Sequence, residues 1–284
     1  MIRAQLNELG TLFSSGMGAV KVGLLRGAWS YRHFILSSIR ADFRSRFARS
    51  SLGGLWMIIH PLAQVLIFSF VFSEVMMARM PGVNNRYAYA IYLMSGTLAW
   101  SLFSDIVQRC LTVFIENGNL LQKMVFPRIC LPLIVVGNAI VTNLLLLVAI
   151  IGVFVLLGHL PGPVVLFLPL LMLQVVALAV GAGLCLGILN VFIRDIGQVV
   201  PILLQLGFWF TPIVYMPEIV PQQYRHLLAF NPLYSLVTSY QGALVFNRQP
   251  AWESLAPIAI LSALLLALAL CLFRRASAEM VDVL

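Results

Sequence analysis

Charged residues are scarce in this sequence: Asp, Glu, Lys and Arg make up only 10% of its 284 residues. Soluble proteins average about 25% charged and about 45–50% apolar residues. Here 61% of the residues are hydrophobic, and the mean hydropathy is +0.97. This composition excludes an ordinary soluble domain and predicts a protein that lies mostly within a lipid bilayer.

Motifs for nucleotide binding, metal binding and catalysis are also lacking. No G-x-x-x-x-G-K-[ST] loop and no Gly-Lys pair occurs, which excludes ATP hydrolysis by the P-loop route. The four His residues are scattered, with no H-E-x-x-H pair and no Cys/His cluster of metal-binding spacing. No G-x-S-x-G elbow is found. We therefore expect no catalytic, cofactor or metal site in this chain.

Carboxylates within the apolar stretches are too few for a proton-driven antiporter, which needs several of them at one site. Asp105 is the clearest intramembrane carboxylate, and such a group is a functional candidate by default. Arg109 lies one helical turn further on, so local pairing is favoured over a proton-relay role. An export function would therefore need energy from a separate protein.

Six apolar stretches are long enough to cross a bilayer, which takes about 20 helical residues. We predict an all-α integral membrane protein with one domain over residues 1–284. The predicted spans are residues 56–76, 87–107, 129–157, 164–193, 197–215 and 254–273. Residues 216–253 are too polar to cross alone but contain apolar runs, which is typical of short re-entrant helices that dip into the membrane from outside.

Two features concern packing within the spans. Ala179, Gly183 and Gly187 recur every four residues in the fourth span, a spacing that permits close approach of another helix. Chance in an apolar, Gly-rich helix explains this spacing almost as well. The four Cys residues lie in or beside apolar spans, which predicts buried thiols rather than structural disulfides.

Positive charge is distributed unevenly between the two ends of the spans. With a cytoplasmic N-terminus, fourteen of the eighteen Lys and Arg residues fall on cytoplasmic segments. This asymmetry predicts that both termini are cytoplasmic. The asymmetry also predicts that the basic cytoplasmic face contacts anionic lipid and partner proteins rather than nucleic acid.

Residues 28–51 mix arginines with large apolar side chains. The apolar residues recur at every fourth position: Ile35, Ile39, Phe43 and Phe47. This spacing predicts an amphipathic helix in the cytoplasmic interface of the membrane. Its arginines are expected near lipid headgroups: Arg40, Arg44, Arg46 and Arg49. Arg46 falls on the apolar stripe and would have to snorkel. A solvated basic helix packed on protein is the alternative.

Five short blocks occur in order along the chain. They are residues 46–56 (RFARSSLGGLW) with Pro61, 116–128 (ENGNLLQKMVFPR) with Pro132, 192–196 (FIRDI), 208–213 (FWFTPI) and Asn231-Pro232. Together they resemble the membrane subunit of polysaccharide exporters driven by ATP-binding-cassette (ABC) ATPases, the ABC-2-type permeases. Phe47, Ala48 and His60 stand where that family often has Tyr, Arg and Asn, which leaves subfamily and substrate open.

The resemblance implies a permease of an O-antigen, capsule or teichoic acid exporter in the bacterial cytoplasmic (inner) membrane. Such permeases are homodimers that work with two copies of a separate nucleotide-binding ATPase, which binds ATP and Mg. They move a lipid-linked glycan outward across the membrane.

The resemblance also assigns residues 108–128 as the cytoplasmic coupling segment, with an ordinary connection between spans as the alternative. The expected ATPase contacts are Glu116, Asn119, Lys123, Phe126, Pro127 and Arg128. Arg194 and Asp195 form a second candidate contact, for which a charged stop signal with local pairing is the alternative.

Aromatic residues crowd the first, second and fifth spans. Aromatic faces stack on the apolar side of sugar rings, so many weak contacts of this kind suit a sliding polymer. We predict Trp56, Phe208 and Phe210 as candidate residues of a polymer channel, with packing between helices as the alternative. Tyr residues at the membrane boundaries are expected as interfacial anchors.

Two other functions stay open on the sequence alone. An ABC-2 small-molecule (drug) exporter would share the spans and the ATPase partner but should lack the basic N-terminal helix and the 116–128 block. An integral membrane transferase acting on lipid-linked sugar would need converging acid, base or metal groups, and the sequence offers none.

The topology is testable by cysteine labelling in a background without the four native Cys residues. A membrane-impermeant maleimide should label Gln249→Cys in intact cells, because residues 216–253 are predicted outside. Gln122→Cys, in the cytoplasmic segment, should be labelled only after the cells are lysed. The reverse pattern would overturn the orientation.

Overall fold

A computed structural model of the chain describes residues 31–48, 55–70, 88–118, 129–276 and 280. These residues form nine α-helices and two short 3-10 helices, without a β-strand among them. The predicted all-α fold is therefore confirmed for the part of the chain that the structure describes.

The helices follow in chain order. They are α1 (Arg32–Ala48), α2 (Trp56–Ser69), α3 (Ala88–Glu116), α4 (Cys130–Leu156), α5 (Leu168–Phe192), α6 (Ile196–Phe210), α7 (Gln222–Ala229), α8 (Pro232–Val245) and α9 (Trp252–Ala276). The 3-10 helix Pro163–Phe167 leads directly into α5, and Pro217–Ile219 precedes α7.

Four of the described helices are long and apolar enough to cross a membrane: α3, α4, α9 and the continuous stretch Pro163–Phe192. The apolar helices Ile58–Phe68 and α6 are shorter. The first and fifth of the six predicted spans therefore stay predictions. Residues 71–87, which include the predicted end of the first span, lie outside the described residues.

The helix α3 is longer than the span predicted at residues 87–107, because it continues to Glu116. Gln108 and Arg109 interrupt the apolar run in the sequence, but Cys110, Leu111 and Phe114 continue a buried face beyond them. At 1.5 Å per residue α3 is about 43 Å long, whereas the hydrocarbon core is about 30 Å thick. The last turns of α3 therefore extend past the hydrocarbon.

The core of the molecule is built around α3, which contacts α2, α4, α5, α6 and α8. Every residue from 88 to 100 is buried, so the first half of α3 is enclosed on all sides. A helix that is apolar all round must be enclosed in this way or face lipid. The other large contact joins α5 to α9.

Glycine allows α5 to approach α3 closely. A Cβ atom added at Gly183 would lie 2.9 Å from the Cβ of Cys110, and one added at Gly187 would overlap the Cys110 carbonyl oxygen. One turn further on, the Asn190 side-chain amide donates a hydrogen bond of 2.9 Å to the Leu111 carbonyl. The spacing of small residues in the fourth span thus does serve helix packing.

These contacts also fix helix direction. Gly183 faces Val107, and further along α5 Asn190 contacts Leu111. Residue numbers therefore increase in the same direction along both helices, so α3 runs parallel to α5. The α5 residues Gln174 and Cys185 donate to two carbonyls of α9, those of Leu255 and Leu265 respectively. Both sets of positions increase in the same order, so α5 and α9 are parallel as well. The chain that connects α3 to α5, and the chain that connects α5 to α9, must therefore each run back to the end of the bundle at which the first helix of the pair begins.

Two helices, α7 and α8, occupy the 216–253 segment in which short helices were predicted. Asn231 caps α8, since its side-chain oxygen accepts from the Leu233 amide at 3.0 Å while its Nδ2 donates to Thr211 Oγ1 at 2.8 Å. Gln241 of α8 donates to the Pro212 carbonyl at 3.1 Å. These bonds tie α8 to the end of α6, whereas entry into the membrane stays a prediction.

The glycine contact between α3 and α5 is testable by substitution. Gly187→Ala should lower the free energy of unfolding by about 1–3 kcal/mol, because the new methyl group meets a backbone carbonyl that cannot rotate away. Gly152→Ala on α4 is the matched control, since a Cβ there has nothing within 4 Å. Thermal unfolding in detergent measures both; equal stability of the two variants would contradict the close approach.

Candidate functional site

An open cavity of about 750 Å³ lies among α2, α3, α4 and α6. Its aromatic lining consists of Trp56, Phe68, Trp100, Phe208 and Trp209. Its polar lining includes His60, Gln64, Ser104, Asp105, Gln108, Thr142, Asn143 and Gln205. Broad apolar rings and hydrogen-bonding groups therefore meet in one space.

Four of the five aromatic lining residues form a packed cluster centred on Phe208. The Phe208 ring stacks on Phe68 at a centroid distance of 6.0 Å and meets Trp100 and Trp209 edge-on, each at 5.7 Å. Edge-to-face and offset-stacked geometries are the favourable ones for aromatic pairs. Phe208 is only 8% exposed, so helix packing already accounts for most of its surface.

The three predicted channel residues do not share one environment. Trp56, at the start of α2, is 54% exposed and lines the cavity together with Phe208. Phe210, at the end of α6, is 70% exposed and is not part of the cavity lining that the described residues form. The structure thus brings two of the three residues together, and a contact with a polymer stays a prediction for all of them.

The polar lining of α3 comes from one helical face. Ser101, Ser104, Asp105 and Gln108 follow one another at helical spacing, and all are at least partly accessible. Within the described residues, the Oδ2 atom of Asp105 is buried without a hydrogen-bond partner.

Arg109 joins this lining to α1. Its Nε donates a hydrogen bond of 2.7 Å to Asp105 Oδ1, which confirms the predicted local pairing. Its Nη1 also lies 3.9 Å from Asp42 Oδ2. The sequence interpretation missed this second contact, although Asp42 is the only acidic residue of α1 and stands among arginines.

Asn143, Gln64 and Gln205 were also missed as site residues. Asn143 donates to the Leu98 carbonyl at 2.9 Å, so α4 is tied to α3 beside the cavity. The signal for all three was present as single polar residues inside apolar spans. Their convergence depends on how the helices pack, which a linear pattern does not specify.

The predicted ATPase contacts are only partly within the described residues. Glu116 is exposed at the end of α3, and Arg194 and Asp195 are exposed in the turn between α5 and α6. Outside the described residues lie Asn119, Lys123, Phe126, Pro127 and Arg128. Contact with an ATPase stays a prediction for all of these residues.

The predicted headgroup arginines are likewise divided. Arg40 and Arg44 are exposed on α1, whereas Ile39, Asp42 and Phe43 are partly buried against the other helices. The Arg46 side chain and Arg49 lie outside the described part of the chain. The helix α1 is therefore two-faced: Arg40 and Arg44 are exposed, whereas the face with Ile39, Asp42 and Phe43 is partly buried.

Comparison with known proteins assigns the family. The family model described as ABC-2 type transporter matches residues 34–245. Because this match covers most of the chain, the protein belongs to the ABC-2 type transporter family.

Individual relatives agree with this assignment. The chain is 31% identical over 268 residues to the O-antigen export system permease protein RfbA of Myxococcus xanthus, covering 92% of this chain and 99% of that protein. Against the Klebsiella pneumoniae protein of the same name it is 28% identical, covering 86% and 92%. Against the polysialic acid transport protein KpsM of Escherichia coli it is 25% identical, covering 82% and 89%.

The link from Arg109 to α1 generates a prediction. Asp42→Asn, Arg109→Gln and the double variant should give a coupling free energy of about 0.5–1 kcal/mol in unfolding experiments, because each single change already removes the contact. Glu253→Gln combined with Arg109→Gln is the control pair and should be additive. Additivity of the Asp42 pair as well would mean that the two side chains do not interact.

Proposed function

We propose that this protein is the permease subunit of an ATP-driven exporter that moves a lipid-linked polysaccharide outward across the bacterial inner membrane. The observation that best supports this proposal is the similarity, over nearly the whole chain, to an O-antigen export permease. The matching family model is likewise one of transporters. The glycan is of the O-antigen, capsule or teichoic acid type. The KpsM similarity supports the wider class of surface polysaccharides rather than one of them.

The protein crosses the membrane six times with both termini in the cytoplasm. Parallel α3, α5 and α9 support this topology, because the chain between α5 and α9 must cross back once and α6 is the apolar helix available for it. In the same way, α4 returns the chain between α3 and α5. The helix α1 lies in the cytoplasmic interface, which its exposed arginines support.

The cavity among α2, α3, α4 and α6 is the proposed path of the glycan. Sugar rings have apolar faces that stack on aromatic rings and hydroxyl groups that bond to amides and carboxylates. Trp56 and the small exposed part of Phe208 offer the first kind of contact, and Gln108 and Gln205, both exposed, offer the second. The cavity is open rather than enclosed, which supports a path completed by a second copy of the chain.

Energy comes from a separate ATPase, since this chain has no P-loop. Two permease copies work with two ATPase copies, and ATP and Mg are bound by the partner subunit. The parallel helices α3 and α5 end on the same side of the bundle. Glu116 and the turn that holds Arg194 and Asp195 therefore point toward one face, which supports that face as the docking side.

The proposal is tested by deleting the gene and measuring surface polysaccharide together with the intracellular lipid-linked glycan. Surface glycan should disappear while the lipid-linked form accumulates inside, because synthesis continues without export. The wild-type permease should restore export only when its ATPase partner can hydrolyse ATP.

Two outcomes would contradict the proposal. Unchanged surface glycan with new sensitivity to small toxic compounds would indicate the drug-exporter alternative. Loss of the lipid-linked glycan itself, inside and outside, would indicate a role in synthesis such as a transferase.

A further inference from the structure

A second open space of about 750 Å³ lies between α1 and α4. Its lining from α1 is Leu36, Ser37, Ile39, Arg40, Ala41, Phe43 and Arg44, and Val141 contributes from α4. The glycan cavity uses Ala139, Thr142 and Asn143 of α4. At about 100° per residue, Val141 points to the opposite side of α4 from these residues. This α1–α4 groove is thus separate from the proposed glycan path.

The apolar side of the groove continues along α4. Ile39 packs against Gly137, where the missing side chain leaves room for it. Val141, Leu144 and Val148 are all exposed and follow at three- and four-residue spacing, so they form one stripe. From Val141 to Val148 the stripe is about 10 Å long. The stripe runs along the helix, so part of an acyl chain aligned with the helix can lie on it.

The charged side of the groove carries two exposed guanidinium groups. Arg40 and Arg44 are one helical turn apart, so both can reach the same anion. No carboxylate is among the groove's lining residues in the described part of the chain. Asp42, the acidic residue between them in the sequence, is not among the lining residues, and its Oδ2 lies 3.9 Å from Arg109 Nη1.

The depth of the groove matches the inner boundary of the membrane. The 27 residues of α4 are about 40 Å long, which exceeds the hydrocarbon thickness of about 30 Å. With Leu156 placed at the outer edge of the hydrocarbon, a span of about 20 residues reaches back to Gly137, which Ile39 of α1 contacts. The arginines therefore lie at headgroup level when the stripe lies within the hydrocarbon.

We propose that the α1–α4 groove binds one anionic phospholipid of the cytoplasmic leaflet. Its phosphate lies between Arg40 and Arg44, and one acyl chain follows Val141, Leu144 and Val148. A free phosphate ion would leave the apolar stripe unused. The inference rests on membrane insertion and on the groove, not on the identity of the exported glycan.

The test measures saturable binding of fluorescent phosphatidylglycerol to the purified permease in nanodiscs of phosphatidylcholine. Arg40→Gln with Arg44→Gln should weaken binding at least fivefold. Arg274→Gln with Arg275→Gln is the matched control, because it removes two exposed cytoplasmic arginines at the end of α9 and should change binding less than twofold. Equal loss in both pairs would mean general attraction to a basic surface and would overturn the proposal.

A second variant tests the apolar part without touching the charges. Val141→Trp should fill the groove and weaken phosphatidylglycerol binding at least threefold, while thermal unfolding confirms that the protein is folded. Glycerol phosphate at millimolar concentration should not compete, because it has no acyl chain. Unaffected binding in Val141→Trp, competition by glycerol phosphate, or displacement by the lipid-linked glycan would each contradict a resident phospholipid.

Discussion

The close contact between α3 and α5 is the constraint on which the rest of the structure depends. Lipid tails are as apolar as the helix surfaces, so association in a bilayer relies on tight packing and on hydrogen bonds between helices. Gly183 and Gly187 supply the packing, and Asn190 supplies the hydrogen bond. With α3 and α5 fixed in parallel, α9 packs on α5, while α4 and α8 pack on α3.

The helix α3 also supplies part of the polar lining of the cavity. The first half of α3 is fully buried, but its second half turns Ser104, Asp105 and Gln108 toward the cavity while Cys110 and Leu111 stay against α5. A movement of α3 relative to its neighbouring helices would therefore also move these polar side chains. Arg109 connects this lining to α1, so the interface helix and the proposed glycan path share one ion-paired residue.

The sequence predicted the helical class and the bounds of α4, α5 and α9 closely, because long apolar runs have few alternatives in a bilayer. The helix α3 continues beyond the span predicted at 87–107, because residues 110, 111 and 114 extend its buried face past Gln108 and Arg109. The sequence indicated Trp56, Phe208 and Asp105 as candidates but not Gln64, Asn143 and Gln205, which line the same cavity. Which faces meet is decided by helix packing, and one linear pattern does not contain that information.

The proposed path of the glycan is the cavity among α2, α3, α4 and α6. The most direct measurement places the photo-cross-linking residue benzoylphenylalanine at Gln205, which lines the cavity, and at Leu203, which is exposed on the same helix outside it. In cells with a hydrolysis-deficient ATPase, light should attach glycan to the permease at position 205 and not at position 203. Attachment at position 203 alone, or at neither position, would contradict the account.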